Sequence, residues 1–319
     1  MKVFRPGNTL LLSICILLGG FALMSQGCSS LSRVARELNP LGSGSRESSP
    51  GLKKKVGLMP LLNLTDSKEG VDVVPLESLM TEKLSAACEG SILVSARETA
   101  SPSFLTDPPE KPSGAVDNLA LAMKAREEGF THIVRPVLSK VHHEKLSSWW
   151  DWVSKEEDLL MVGVRVEIFD AHSGTKTFHD NFLEEREIRA VPEKKLTVPQ
   201  IMALPDFEKM TAKLAKTMAK KISGELNAFP WKGFIVSTDG KAGVLSSGSR
   251  AGIQAGQEFS LSKDKDVMTG YDHNQYIIPG PVVDTVKVVE VNENQAKVVS
   301  VSGNPVEKGA VLQVQGSSK

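Results

Sequence analysis

The chain has 319 residues, 40% of them apolar and 24% charged, with 38 Lys and Arg balanced by 38 Asp and Glu. That is long enough for two domains of ordinary size and apolar enough to bury a core. The even charge argues against nucleic acid as a partner, and three cysteines are too few for a disulfide scaffold.

The first residues read as an export signal. Lys2 and Arg5 form a short basic region, and residues 9–24 an apolar one interrupted by Gly19 and Gly20. This run is shorter than the ~20 residues a spanning helix needs. Its end, Ser25-Gln26-Gly27-Cys28-Ser29-Ser30, resembles the lipobox of bacterial lipoproteins, with Ser25 where that family commonly has Leu. The resemblance implies cleavage after Gly27 and a covalent lipid on Cys28, which several acyl chains would hold stably in a membrane. Ser29, in place of Asp, implies the outer membrane and its periplasmic side. Removing Lys2 and Arg5 leaves 36 bases (38 less 2) against 38 acids. Cys15 goes with the signal, so Cys88 is the one cysteine left beside the lipid site. It ends an apolar helical stripe and reads as a small buried hydrophobe.

Residues 28–52 are rich in Ser, Gly and Pro and read as a flexible tether. Lys53-Lys54-Lys55 reads as the solvated start of a buried strand, Val56–Leu62. A helix follows with Val74, Leu76, Leu79, Met80, Leu84, Ala87 and Cys88 on one face. Ser91–Ser95 is a short strand and residues 99–115 a proline-rich loop. A helix from about Val116 to Glu128, stopped by Gly129, leads into a long strand ending near Lys145. Leu160, Val162, Val164, Val166 and Ile168 alternate with Met161, Gly163, Arg165 and Glu167, the clearest period-two signal in the chain. The turn Asp170–Gly174 leads to a strand over Thr175–Arg189. A long helix then repeats Phe207, Met210, Leu214, Met218, Ile222 and Leu226. Its outer lysines, Lys209, Lys213, Lys216 and Lys220, suit a helix packed on a sheet. From Gly233 onward short segments, Phe234–Ser237, Ala242–Leu245, Phe259–Leu261, Val282–Val291, Ala296–Val301 and Ala310–Val314, alternate with Gly-rich turns, the pattern of a small all-β barrel. The expected organisation is a signal at 1–27, a tether at 28–52, an α/β domain at 53–229 and a small β-barrel domain at 230–316.

Three segments carry a family resemblance: Lys55–Pro60 with Asn63-Leu64-Thr65, Ala125–Val134, and Val164–Gly174. Together they resemble the α/β domain shared by the curli-secretion lipoproteins, the N-terminal domain of TolB and the lipoprotein activators of penicillin-binding proteins. Gly233-Phe234-Ile235, Ser247–Phe259 and Val306–Ala310 resemble the C-terminal barrel of the flagellar assembly protein T family, with Gln257 in place of an expected Asp. The implied fold class is α+β, a mixed sheet with packed helices (TolB N-terminal-like) followed by a small all-β SH3-like barrel. The common thread of these families is envelope assembly, with no catalytic residues to carry over.

The residues themselves invite no catalytic or metal assignment. His142 and Glu144 share one strand face, and His172 and His179 flank a hairpin, but none has the spacing of a metal site; they read as solvated hairpin histidines. Trp231 reads as a packing wedge at the domain junction. Trp149, Trp150 and Trp152, clustered between two strands, are the candidate contact with a partner or membrane. The expected function is a non-enzymatic envelope lipoprotein, with no cofactor beyond the lipid on Cys28, that binds or scaffolds other envelope proteins. A homo-oligomer is compatible with this. The alternatives are an oligomeric secretion channel, against which Arg135 and Lys140 stand on opposite strand faces, and a metal-dependent enzyme using His142, Glu144, His172 or His179.

Overall fold

A computed structural model describes residues 51–65, 72–146, 157–193, 195–270 and 273–315. All of these fall within one compact unit. The signal, Cys28 and nearly all of the tether lie outside the described residues. So do the three clustered tryptophans, Trp149, Trp150 and Trp152.

The fold is α+β, a six-stranded mixed sheet with helices and a closed six-stranded antiparallel barrel. In the sheet, β1 (Lys54–Leu58) runs parallel to β3 (Ser91–Ser95) and to β4 (His132–Lys145). The two-residue β2 (Leu62–Asn63) also lies parallel to β4. β4, β5 (Glu157–Asp170) and β6 (Lys176–Arg189) form an antiparallel meander of 14-residue strands. Among the described residues β6 is the last strand of the sheet order, with no neighbour on its outer edge.

One face of the sheet is covered by α1 (Val74–Ala87) and α5 (Pro205–Ala228). Leu76, Met80 and Leu84 of α1 and the Phe207-to-Leu226 stripe of α5 meet Val134, Leu160, Val162, Val164, Val166 and Ile168 in one buried cluster. The four lysines on the outer side of α5 are exposed, as expected of a helix that buries its apolar stripe. The other face, near the start of β4, is covered by α2 (Ser103–Thr106), which carries buried Phe104 and Leu105, and by α3 (Asn118–Glu127). Gly57 permits that closeness, since a Cβ there would stand 2.7 Å from Leu105. A further short helix, α4 (Val198–Met202), precedes α5.

The barrel has the strand order β10-β11-β8-β7-β12-β9. Its strands are β7 (Lys232–Asp239), β8 (Ala242–Leu245), β9 (Glu258–Thr269), β10 (Gln275–Val291), β11 (Ala296–Ser300) and β12 (Val311–Val314). Trp231 is buried in the barrel core, tilted against Phe259 with ring centroids 5.2 Å apart, and donates from Nε1 to the carbonyl of Lys53 at 3.2 Å.

Two sequence expectations change here. Strands β9 and β10 run well past their expected ends, Leu261 and Val282, and pair as a ribbon beyond the barrel. The charged run Lys263–Asp266 and the Pro279-Gly280-Pro281 segment hide that ribbon in the sequence, and Pro279 lies where the ladder shifts register. Lys54 is not solvated but buried, and its Nζ donates to the Leu226 carbonyl at 2.5 Å, near the C-terminus of α5. Burial lowers its pKa to about 8; the helix end supplies the partial negative charge that keeps an ammonium there.

Gly280 tests the ribbon. A Cβ at that position would stand 2.2 Å from the Lys263 carbonyl oxygen. Gly280→Ala should force the bulge apart and lower the thermal midpoint by several degrees in circular dichroism, an effect of about 1–2 kcal/mol.

Candidate functional site

Where the sheet meets the barrel, α3, the β5–β6 turn, β7 and β9 bring charged side chains together below the surface. Arg126 is 3% exposed and donates from Nε to the Ala171 carbonyl at 2.8 Å and from Nη2 to the His172 carbonyl. The same guanidinium grips Asp264 of β9 through both nitrogens, at 2.5 and 3.2 Å, and lies over the Phe234 ring at 5.4 Å. Lys232 donates to Nδ1 of His172 at 2.6 Å. Asp170 accepts from the amides of His172 and Ser173 and from the Ser173 hydroxyl.

His172 is therefore buried, which corrects the expectation of a solvated hairpin histidine. Its burial and the neighbouring Lys232 charge lower its pKa to about 3. His132, packed against Phe229, is lowered to about 4 by burial, with Lys54 and Lys232 nearby opposing its protonation and Asp170 favouring it. Burial would raise the Asp170 carboxyl, but Lys232 and His132 outweigh it and bring it to about 2. Thr131 donates its hydroxyl to the Lys55 carbonyl, so His132 must donate from Nδ1 to Thr131. That tautomer leaves Nε2 as an acceptor, and it is buried without a partner.

The second arrangement lies on the face of the meander opposite α1 and α5. Arg135, Glu167 and His179 stand directly across from one another on β4, β5 and β6, and Arg165 and Asn181 form part of the next row. Glu167 is buried at the centre, bonded to Lys176 Nζ at 2.8 Å and Arg135 Nη1 at 3.1 Å, with His179 at 3.5 Å and Arg165 at 3.9 Å. Burial would raise its carboxyl, and the Lys176 and Arg135 charges hold it below the ordinary value instead. Three permanent cations thus surround one carboxylate. Arg165 contributes least to that pairing, and its Nε has no hydrogen-bond acceptor. Lys140, exposed beyond Gly163, stands on the same face as Arg135 and not on the opposite one expected from strict alternation, because the ladder shifts register between Leu138 and Lys140; its Nζ lies against the Met161 sulfur at 3.2 Å. The far end of this face carries exposed Glu144, Glu185 and Glu187. The chemistry available at the cationic end is anion binding: a partly exposed guanidinium 3.9 Å from its carboxylate, flanked by further cations and the exposed Asn181 amide.

The other singled-out histidines separate. His142 is half-buried and Glu144 exposed, sharing a strand side as the alternation requires, while His179 is 47% exposed. His143, on the opposite side of the strand, is buried and pairs through Nε2 with Asp158 at 2.8 Å. The Leu196 amide donates to Nδ1, so the proton sits on Nε2 and points at the carboxylate. Among the described residues no group of three or more His, Cys, Asp or Glu is placed to hold a metal ion. Cys88 is buried and free, with its thiol pKa raised by burial. Among the described residues no helix is long and apolar enough to cross a membrane. The sequence reading missed the Arg165 group because its members lie on three strands; the alternation on β5 placed Arg165 and Glu167 on one face but could not supply their neighbours.

No protein-family model matches the sequence, and no curated protein matches it. Among solved structures the fold is similar to a hypothetical protein, CT253, from Chlamydia trachomatis at 12% identity, over 56% of this chain and 99% of that one, with a TM-score of 0.38. Lipoprotein GNA1162 from Neisseria meningitidis matches at 10% identity over 54% and 99%, TM-score 0.30. The rare lipoprotein B from Shewanella oneidensis matches at 12% over 54% and 93%, TM-score 0.28. These are partial likenesses and leave function to the residues.

The junction histidines set a pH dependence. In the unfolded chain they take up protons near pH 6.5, whereas in the fold they stay neutral down to about 4 and about 3. The unfolded state therefore binds more protons across that window, and stability is complete above pH 6.5 and falls as pH drops toward 4. Asp170 adds a further loss below about pH 4 as its folded-state carboxylate approaches protonation. Urea unfolding at pH 7 and pH 4 should differ by roughly 3 kcal/mol or more, and His132→Leu should flatten part of that slope; an unchanged slope would remove His132 from the account.

Proposed function

We propose that this protein is a non-enzymatic, lipid-anchored protein of the bacterial envelope that binds or scaffolds other envelope proteins. The lipid on Cys28 would hold it at the outer membrane, on the periplasmic side, and the cationic end of the meander face would receive an acidic segment of a partner. The observation that carries this reading is Arg165, a partly exposed guanidinium held loosely, at 3.9 Å, by Glu167 and standing beside Arg135, Lys176 and exposed Lys140. Arg presents a planar fork of donors that suits carboxylates, and a desolvated charge pair at an interface sets specificity and dissociation rate. The lipobox-like Ser25–Ser30 segment supports the anchor. The resemblance of the sheet part to the TolB N-terminal and curli-secretion domains, and of the SH3-like barrel to that of the flagellar assembly protein T family, supports an assembly role.

Two measurements test it. Cys28→Ser should move the protein from the membrane fraction to the soluble periplasmic fraction; retention in the membrane would contradict the anchor. Tagged protein extracted from its native envelope in mild detergent should carry one or two acidic envelope proteins. Arg165→Glu with Lys140→Glu should reduce their recovery about tenfold or more, the size of effect expected from truncating a desolvated charge pair. Equal recovery from both forms would contradict the site.

A further inference from the structure

We infer that β6 is a self-association edge, along which two copies pair antiparallel about a two-fold axis through Leu183 to make one continuous sheet. This edge shares His179 and Asn181 with the cationic face, but the inference rests on strand pairing and not on the acidic-partner reading.

β6 ends the sheet, is 14 residues long, and carries Leu183 at its centre, 51% exposed. A long, uncovered edge strand is a template for another strand unless its side chains prevent it. Residues directly opposed in an antiparallel pair share a face, so a symmetric pairing must be centred on a single residue. Centring on Phe182 sets Asp180 opposite Glu184, and centring on Glu184 sets that carboxylate against its own copy; like charges directly opposite are destabilising. Centring on Leu183 avoids both.

In that register, on the face away from the helices, Leu183 meets Leu183, Asn181 meets Glu185, and His179 meets Glu187. On the helix-covered face Asp180 meets Arg186, Phe178 meets Ile188, and Phe182 meets Glu184, whose carboxylate keeps its bond to Lys213. Each unlike pair occurs twice by symmetry. Phe178 and Ile188 already contribute to the core under α5, so their meeting would join the two cores across the edge. The edge charges are held in place by α5, through Lys221–Asp180, Lys213–Glu184 at 2.6 Å and Arg186–Asp206 at 2.9 Å. Asp180 with its Lys221 would then face Arg186 with its Asp206, a complementary arrangement. The occupant that fits this charge sequence is a second copy of the strand itself.

The experiment uses the full-length, lipidated protein in mild detergent. Its protein mass is measured by light scattering at micromolar concentration, for wild type and for Leu183→Lys. The expected result is a dimer for wild type and at least a tenfold weaker dimer for Leu183→Lys, which opposes two ammonium groups at the axis. Because Leu183 is exposed, the variant should keep its thermal midpoint. Leu183→Cys provides the second reading: mild oxidation should link two chains at position 183, while Glu187→Cys, which would face His179 of the other copy, should not crosslink. A wild-type monomer throughout would overturn the inference, as would a dimer that survives Leu183→Lys and gives no crosslink with Leu183→Cys.

Discussion

The Arg126 guanidinium is the tie on which the joint between sheet and barrel depends. It leaves α3, caps two carbonyls of the β5–β6 turn and closes on Asp264 of β9. A buried guanidinium is costly unless its donors are met, and here they are met from both parts of the fold. The ribbon follows from that grip: beyond Asp264 it runs on to the turn, where the Ile277 amide donates to the Ser173 carbonyl at 2.8 Å and Asn118 donates to the Gln275 carbonyl at 2.6 Å. The barrel is thus braced against α3 and the β5–β6 hairpin by these contacts and by Lys232 on His172.

That bracing has a consequence for the meander face. β5 ends and β6 begins at the braced turn, so the row containing Arg135, Glu167 and His179 sits on strands whose register is held from one end by the junction and from below by α5. A preorganised set of cations loses little freedom on binding, which is the condition for a charge contact to yield affinity rather than cancel against ordering. The free edge of β6 benefits from the same rigidity, since its ion pairs to α5 fix the charges that a second strand would meet.

Much of the scaffold was legible because it depends on local periodicity. The alternation from Leu160 to Ile168 gave β5 its inward face, and the Phe207-to-Leu226 repeat gave α5 its stripe. The features that depend on tertiary neighbours were not. His172 and Lys54 read as solvated residues, because nothing in their flanks announces Lys232 or the end of α5. The ribbon was hidden because its strands are charged and bear two prolines; bulges absorb them and exposure costs them nothing. The Arg165 group was half legible, since alternation orders one strand's face but the partners come from two others. Cys28 and the Trp149, Trp150 and Trp152 cluster rest on the sequence alone.

Arg126 should couple sheet and barrel into one cooperative body, and native-state hydrogen exchange on Arg126→Met, Asp264→Asn and the double variant reads that coupling strand by strand. If the tie is as described, wild-type amides of β5 and of β12 open with one shared free energy. Arg126→Met then lowers protection in the barrel strands well before that of the meander, and the two substitutions are strongly non-additive, by about 1–3 kcal/mol. Additive effects with both strands still exchanging together would contradict it.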